Sequence, residues 1–145
     1  MMAGTLLAFD FGAKRVGVAV GETSTGIASP LTTIALEANE QRFAAIDRIV
    51  AEWRPAGFIV GRPKHSDGSP HAVAKLAEKF ARRLAARFDR PVAFVDETLT
   101  SATAERELAT HRTRARRVGD VDALAAAMIL QSFLDDPEAH EPLAS

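Results

Sequence analysis

Residues 5 to 20 read Thr5-Leu-Leu-Ala-Phe-Asp10-Phe-Gly-Ala-Lys-Arg15-Val-Gly-Val-Ala-Val20, two short apolar runs on either side of Gly12-Ala13-Lys14-Arg15. Runs of this length around a Gly-containing polar break predict two buried strands, 5 to 11 and 16 to 20, joined by a tight turn. A third strand is expected over about 27 to 35. It follows the polar break Glu22-Thr23-Ser24-Thr25-Gly26 and ends in the β-favouring Leu31-Thr32-Thr33-Ile34. The first third of the chain is therefore a meander.

Beyond it the hydrophobic period changes. Phe43, Ile46, Ile49, Val50 and Trp53 make one stripe at helical spacing, with Asn39 as the expected N-cap and Pro55 to Gly57 as the stop. A brief strand, 57 to 61, follows, then a loop from Arg62 to Gly68. Ser69 and Pro70 are placed to open a long helix buried through Val73, Leu76, Phe80 and Leu84. Pro91 to Val95 is a further strand, and helical patterns return near 101 to 111 and from about 121 to 134. The tail 135 to 145 has little to bury and is expected to be flexible. Strands and helices that alternate after a meander imply an α/β fold, a mixed sheet with helices on its faces, because parallel neighbours need crossovers.

The 145 residues are enough for one domain, taken as 1 to 134, and 47% hydrophobic with 26% charged residues excludes a disordered or fibrous chain. With no cysteine, a disulfide framework, a thiolate zinc site and a thiol nucleophile are excluded, so any metal must be held by oxygen or histidine. Eighteen basic and nineteen acidic residues give a net charge of -1, so contact with nucleic acid must come from local patches. No apolar run approaches the roughly 20 residues of a membrane span. The opening residues also lack the order of a signal peptide, and a cytoplasmic protein with no membrane partner is expected.

Carboxylates stand at three key places in the pattern. Asp10 ends an apolar strand two residues before Gly12, where it either caps the turn or faces a ligand. Asp96 and Glu97 follow the strand Val92 to Val95, and in open α/β sheets ligands gather at the carboxyl ends of strands. A solvated strand end or a helix cap suits Asp96 better than Glu97. Asp122 stands at the expected start of the last helix, where a cap is the structural alternative. Three acids in one pocket repel unless cations neutralise them, and oxygen donors suit Mg²⁺ or Mn²⁺. Such a site fits phosphodiester hydrolysis, since it needs no nucleophile from the protein.

Asp10-Phe-Gly-Ala-Lys-Arg-Val-Gly-Val-Ala19, Ala28-Ser-Pro-Leu-Thr-Thr-Ile34, Val60-Gly-Arg-Pro63 with Asp67-Gly68, Asp96-Glu97, and Val121-Asp-Ala-Leu-Ala-Ala-Ala-Met-Ile-Leu-Gln131 follow one another in order over about residues 5 to 134. In this succession the chain resembles the YqgF family, also called RuvX, whose members are described as Holliday-junction resolvases and pre-16S rRNA nucleases. The resemblance covers nearly the whole domain. It implies a ribonuclease H-like fold, a five-stranded mixed sheet with helices on both sides, and a nuclease site of Asp10, Glu97 and Asp122 holding one or two divalent ions. It also implies a nucleic-acid partner, precursor rRNA or branched DNA; a junction substrate would suit a homodimer. The sequence departs from the family at Thr98, where Arg is usual, and at Gly21-Glu22, where Ser-Asp is frequent.

Phosphate contacts are expected from Arg112, Arg114, Arg116 and Arg117, just before Asp122, and from Lys14, Arg15, Arg62 and Lys64 on loops. A solvated charge run is the alternative for each. Without tyrosine, and with its eight phenylalanines and one tryptophan mostly on core-facing positions, the chain offers little for base stacking. Two other functions share parts of this pattern. Sugar-kinase and actin-type ATPases share the opening Asp-x-Gly but enclose ATP between two such domains, where this sequence carries one. A non-catalytic ribosome-assembly factor has no physical reason to hold three mutually repelling acids.

Overall fold

The computed structural model describes residues 3–12, 14–36, 38–63, 72–97, 118–139 and 141–142. The opening stretch folds into strands β1 (Thr5–Phe11) and β2 (Val16–Glu22), antiparallel, with Phe9 opposite Val18 and Asp10 opposite Gly17. Strand β3 (Ile27–Ile34) pairs antiparallel with β2, with a register shift between Val18 and Ala19. The chain then crosses over through helix α1 (Asn39–Trp53) to β4 (Gly57–Pro63), parallel to β1, and through helix α2 (Ala72–Phe88) to β5 (Val92–Glu97), parallel to β4. Helix α3 (Val118–Asp135) follows. The sheet order is β3-β2-β1-β4-β5, the expected mixed sheet of five strands, extended by one short edge piece.

That piece is β6 (Glu141–Pro142), antiparallel to β5 at Ala93 and Phe94, and a 3-10 turn at Pro137–Ala139 leads to it. The tail thus supplies a short partner to the edge of β5, whose outer backbone groups would otherwise have only water.

The period-2 pattern sorts side chains between two cores. Leu7, Phe9, Val16, Val18, Phe58, Val60, Val92 and Phe94 meet α1 through Phe43, Ile46 and Val50, and α2 through Ala77, Phe80, Ala81 and Leu84. On the opposite face Leu6, Ala8, Ala19, Ile59, Ala93 and Val95 meet α3 through Ala126, Ala127, Ile129, Leu130 and Phe133. All eight phenylalanines pack in or against these cores, Phe9 edge-on to Phe80 at 5.4 Å between centroids.

Several local expectations change. Asn39 is the first residue of α1, not its cap; Ala38 precedes it and provides no side-chain hydrogen bond. The helix stops at Arg54, whose left-handed backbone (φ 46°) lets its N–H reach the Val50 carbonyl before Pro55 forbids another turn. Phe80 and Leu84 are buried as expected, but Leu76 is 44% exposed, because Ala77 and Ala81 fill the rest of the buried α2 stripe in its place. Strand β4 extends through Arg62 and Pro63, which the loop expectation had excluded. Helix α3 begins at Val118, one turn earlier than expected. Ser69, Pro70 and the 101-to-111 helical pattern lie outside the described residues. Among those described, no helix is long and apolar enough to cross a membrane.

Candidate functional site

Asp10 shares the strand parity of Leu6 and Ala8, so it belongs to the α3 face of the sheet, at the carboxyl end of central strand β1. Its register neighbours are Gly17 on β2 and Gly61 on β4, and neither brings a side chain over the carboxylate. Gly12 serves the turn itself: a Cβ there would lie 2.6 Å from the Arg15 carbonyl oxygen. The hairpin, not a ligand, accounts for that glycine.

Helix α3 reaches the same place because β2 presents Gly17, Ala19 and Gly21 to it. A Cβ on Gly17 would stand 1.9 Å from the Asp122 carbonyl oxygen, and one on Gly21 would stand 2.9 Å from Leu130 Cδ2. The α3 backbone therefore lies directly on β2, a close approach that an isolated strand glycine signals. Asp122 sits over Gly17, the residue paired with Asp10, so the two aspartates share one end of one face.

Asp122 is the fifth residue of α3, not its opening, and the helix dipole acts chiefly within the first turn. Its charge is met instead by Arg15, whose Nε–H donates to Oδ2 at 2.7 Å from the β1–β2 turn. Lys14, on the same turn, is exposed. At the far end of the helix, Gln131 accepts from the Ala28 N–H at 3.0 Å and donates to the Gly26 carbonyl at 2.8 Å, pegging α3 to the start of β3.

Glu97 closes β5 in register with Pro63, on the parity of Ala93 and Val95. Asp96 has the other parity, and so does its register partner Arg62. They form a bidentate pair, Nε to Oδ1 at 2.6 Å and an amino group to Oδ2 at 3.1 Å, with the Arg62 guanidinium 4.5 Å from the centre of the Phe94 ring. The structure thus brings Asp10, Asp122 and Arg15 together and puts Arg62 with Asp96 on the α1–α2 side of the sheet. Lys64, Arg112, Arg114, Arg116 and Arg117 lie outside the described residues. Among those described, no group of three or more acids or histidines is assembled to hold a metal ion. The carboxylate pair itself offers only hard oxygen donors beside glycines, a chemistry that fits Mg²⁺ or Mn²⁺.

Two features were missed in the sequence. Arg42 is buried on α1, donating to the Leu36 carbonyl at 2.9 Å beneath the Phe11 ring, and no sequence signal separates it from an ordinary helix-surface arginine. The close approach at Gly17 did have a signal, a glycine inside an apolar strand.

Strand order and helix placement define a ribonuclease H-like fold of the RuvC type. The structure aligns with Thermus thermophilus RuvC in complex with a Holliday junction substrate, TM-score 0.61 at 16% identity over 97% of this chain and 99% of that one. It also aligns with the yeast mitochondrial Holliday junction resolvase Ydc2, TM-score 0.52 at 10% identity over 92% and 80%. The chain belongs to the RuvX family, described as Holliday junction resolvase, whose pattern matches residues 4–136. It is 54% identical over 135 residues to the "Putative pre-16S rRNA nuclease" of Dechloromonas aromatica, covering 92% of each protein. To the protein of the same name from Thiobacillus denitrificans it is 51% identical over 133 residues, covering 91% of this chain and 92% of that one.

Proposed function

We propose that this protein is a divalent-metal-dependent endonuclease that hydrolyses phosphodiester bonds of structured nucleic acid in 5′-end maturation of precursor 16S rRNA. The observation that carries the reading is the meeting of Asp10 and Asp122 across Gly17, at the carboxyl end of the central strand. The names of the relatives supply the substrate, and with it a cytoplasmic setting.

Asp10, Glu97 and Asp122 are the residues that would hold Mg²⁺ or Mn²⁺, one or two ions. When bound, such an ion supplies Lewis-acid stabilisation of phosphate charge and lowers the pKa of water. Asp10 would anchor the site from β1, a strand paired on both sides. Glu97 and Asp122 would complete the oxygen ligands and orient the attacking water. Lys14 and Arg15 hold phosphates at the β1–β2 turn, and Lys64 and the cluster Arg112, Arg114, Arg116 and Arg117 are the further basic residues proposed for phosphate contact. Arg62 joins them only by leaving Asp96; while paired, it braces the ends of β4 and β5 beside Glu97. With every phenylalanine packed in or against a core, recognition is by backbone shape rather than base stacking.

The test is cleavage of two labelled substrates, an RNA spanning the 5′ end of precursor 16S rRNA and a four-way DNA junction, with Mn²⁺ or Mg²⁺, by wild type and Asp10→Asn. The reading expects metal-dependent cutting of the RNA, lost in the variant. Cutting of the junction alone moves the function to Holliday-junction resolution, with a homodimer as the expected state. Binding without cutting moves it to a non-catalytic assembly factor.

A further inference from the structure

We propose that Arg15 is the resident counter-cation of Asp122, that a divalent ion at the two aspartates displaces it, and that the freed guanidinium then takes a phosphate of the nucleic acid. The inference rests on the metal-binding reading of Asp10 and Asp122 above and adds to it a gate made by the chain itself.

Asp10 and Asp122 put two carboxylates at one end of one sheet face, and the structure sets the Arg15 guanidinium against Asp122. Arg15 Nε donates to Asp122 Oδ2 at 2.7 Å, a link across 107 residues from the β1–β2 turn to α3. The pair is built for exchange. In the Arg62–Asp96 and Arg87–Asp47 pairs two guanidinium nitrogens engage both carboxylate oxygens. Arg15 uses Nε alone, leaving its terminal nitrogens, the ones suited to forked phosphate recognition, off Asp122. Its side chain is 45% exposed against 23% for Asp122, so the arginine is the partner with room to move. Lys14 beside it is exposed on the same turn, adding a second charge where a phosphate would arrive.

A guanidinium and a divalent ion on one carboxylate repel each other, so the two occupancies compete. Linkage then requires that whatever Arg15 contributes to holding Asp122 is subtracted from ion binding. A partly exposed pair of this kind is worth about 0.2–1 kcal/mol, so Arg15→Ala is expected to tighten Mn²⁺ binding by about 1.4- to fivefold. The same substitution removes a phosphate contact, so nucleic-acid binding weakens and the slope of log K against log salt falls by about one. Opposite signs for ion and nucleic acid are what separate this gate from an ordinary basic residue.

The experiment titrates Mn²⁺ into the full chain, following free Mn²⁺ by electron paramagnetic resonance, for wild type, Asp10→Asn, Arg15→Ala, Arg15→Lys and the distant charge control Arg87→Ala. Anisotropy of a labelled structured RNA, with Ca²⁺ as the divalent ion, gives the salt slope, and thermal melting checks folding. Tighter Mn²⁺ binding and a shallower salt slope for Arg15→Ala, return toward wild type for Arg15→Lys, and no change for Arg87→Ala are expected. If Mn²⁺ binds wild type and not Asp10→Asn but Arg15→Ala leaves the affinity unchanged, the gate is overturned and the acid site stands. Weaker Mn²⁺ binding together with a lower melting temperature makes Arg15 a structural tie and also overturns the gate. No Mn²⁺ binding to wild type overturns the gate and the acid site together.

Discussion

The two faces of the sheet solve different problems with different residues. The α1–α2 face is filled with rings, Phe9, Phe58, Phe80 and Phe94 among them, and its helices stand off the sheet by the width of those side chains. The α3 face is built of small residues where it meets β2, Gly17, Ala19 and Gly21 beneath Ala123, Ala126 and Ala127, and its helix backbone touches the strand. Large side chains make stability, whereas small ones bring Asp122 down to the level of Asp10. The acids lie on the face where distance, rather than volume, is the quantity under control.

This contrast can be broken from either side. On the ring-filled face Phe80→Ala should cost about 3–5 kcal/mol in chemical denaturation, because a large buried ring leaves a cavity among Phe9, Phe11 and Phe43. Activity per folded molecule should be kept. On the close-packed face Gly17→Ala should show the reverse balance. A stability loss of about 1–3 kcal/mol is expected from forcing a methyl group against backbone, with a fall in cleavage of roughly 100-fold or more as α3 shifts. Equal behaviour of the two variants in the ratio of activity to stability would erase the distinction.

Smaller changes sharpen it. Gln131→Ala removes the partner of the Ala28 N–H and the Gly26 carbonyl at the far end of α3, and should cost about 1 kcal/mol with a lesser effect on cleavage than Gly17→Ala. The smallest effect is expected at Asp47, exposed on α1, where the hydrogen bonds from Arg87 hold the carboxyl below its usual value of 3.8. A lowered pKa stabilises the fold above the unfolded value, and that contribution is lost as pH falls through the folded one. The slight melting-temperature deficit of Asp47→Asn should therefore be present at neutral pH and shrink below about pH 3.8.

Much of this was legible in the sequence, for physical reasons that differ by element. Strands β1, β2, β4 and β5 are apolar runs with clear terminators, so their existence needed no tertiary information. Asp10 could be placed at a strand end for the same reason. Asp96 and Glu97, adjacent in the chain, fall on opposite parities of β5, and alternation alone already separates them. The α2 stripe is legible at Phe80 and Leu84 but not at Leu76, because alanines carry little weight in a hydrophobic pattern, yet Ala77 and Ala81 are fully buried where Leu76 is not. Local reading could not find the Arg15–Asp122 pair, whose members are 107 residues apart and meet only because a glycine lets a helix rest on a strand.

The most direct measurement is anomalous diffraction from a crystal of the protein soaked in Mn²⁺. The account predicts a manganese peak in contact with carboxylate oxygens of both Asp10 and Asp122. A peak elsewhere, or none at saturating Mn²⁺, would contradict it.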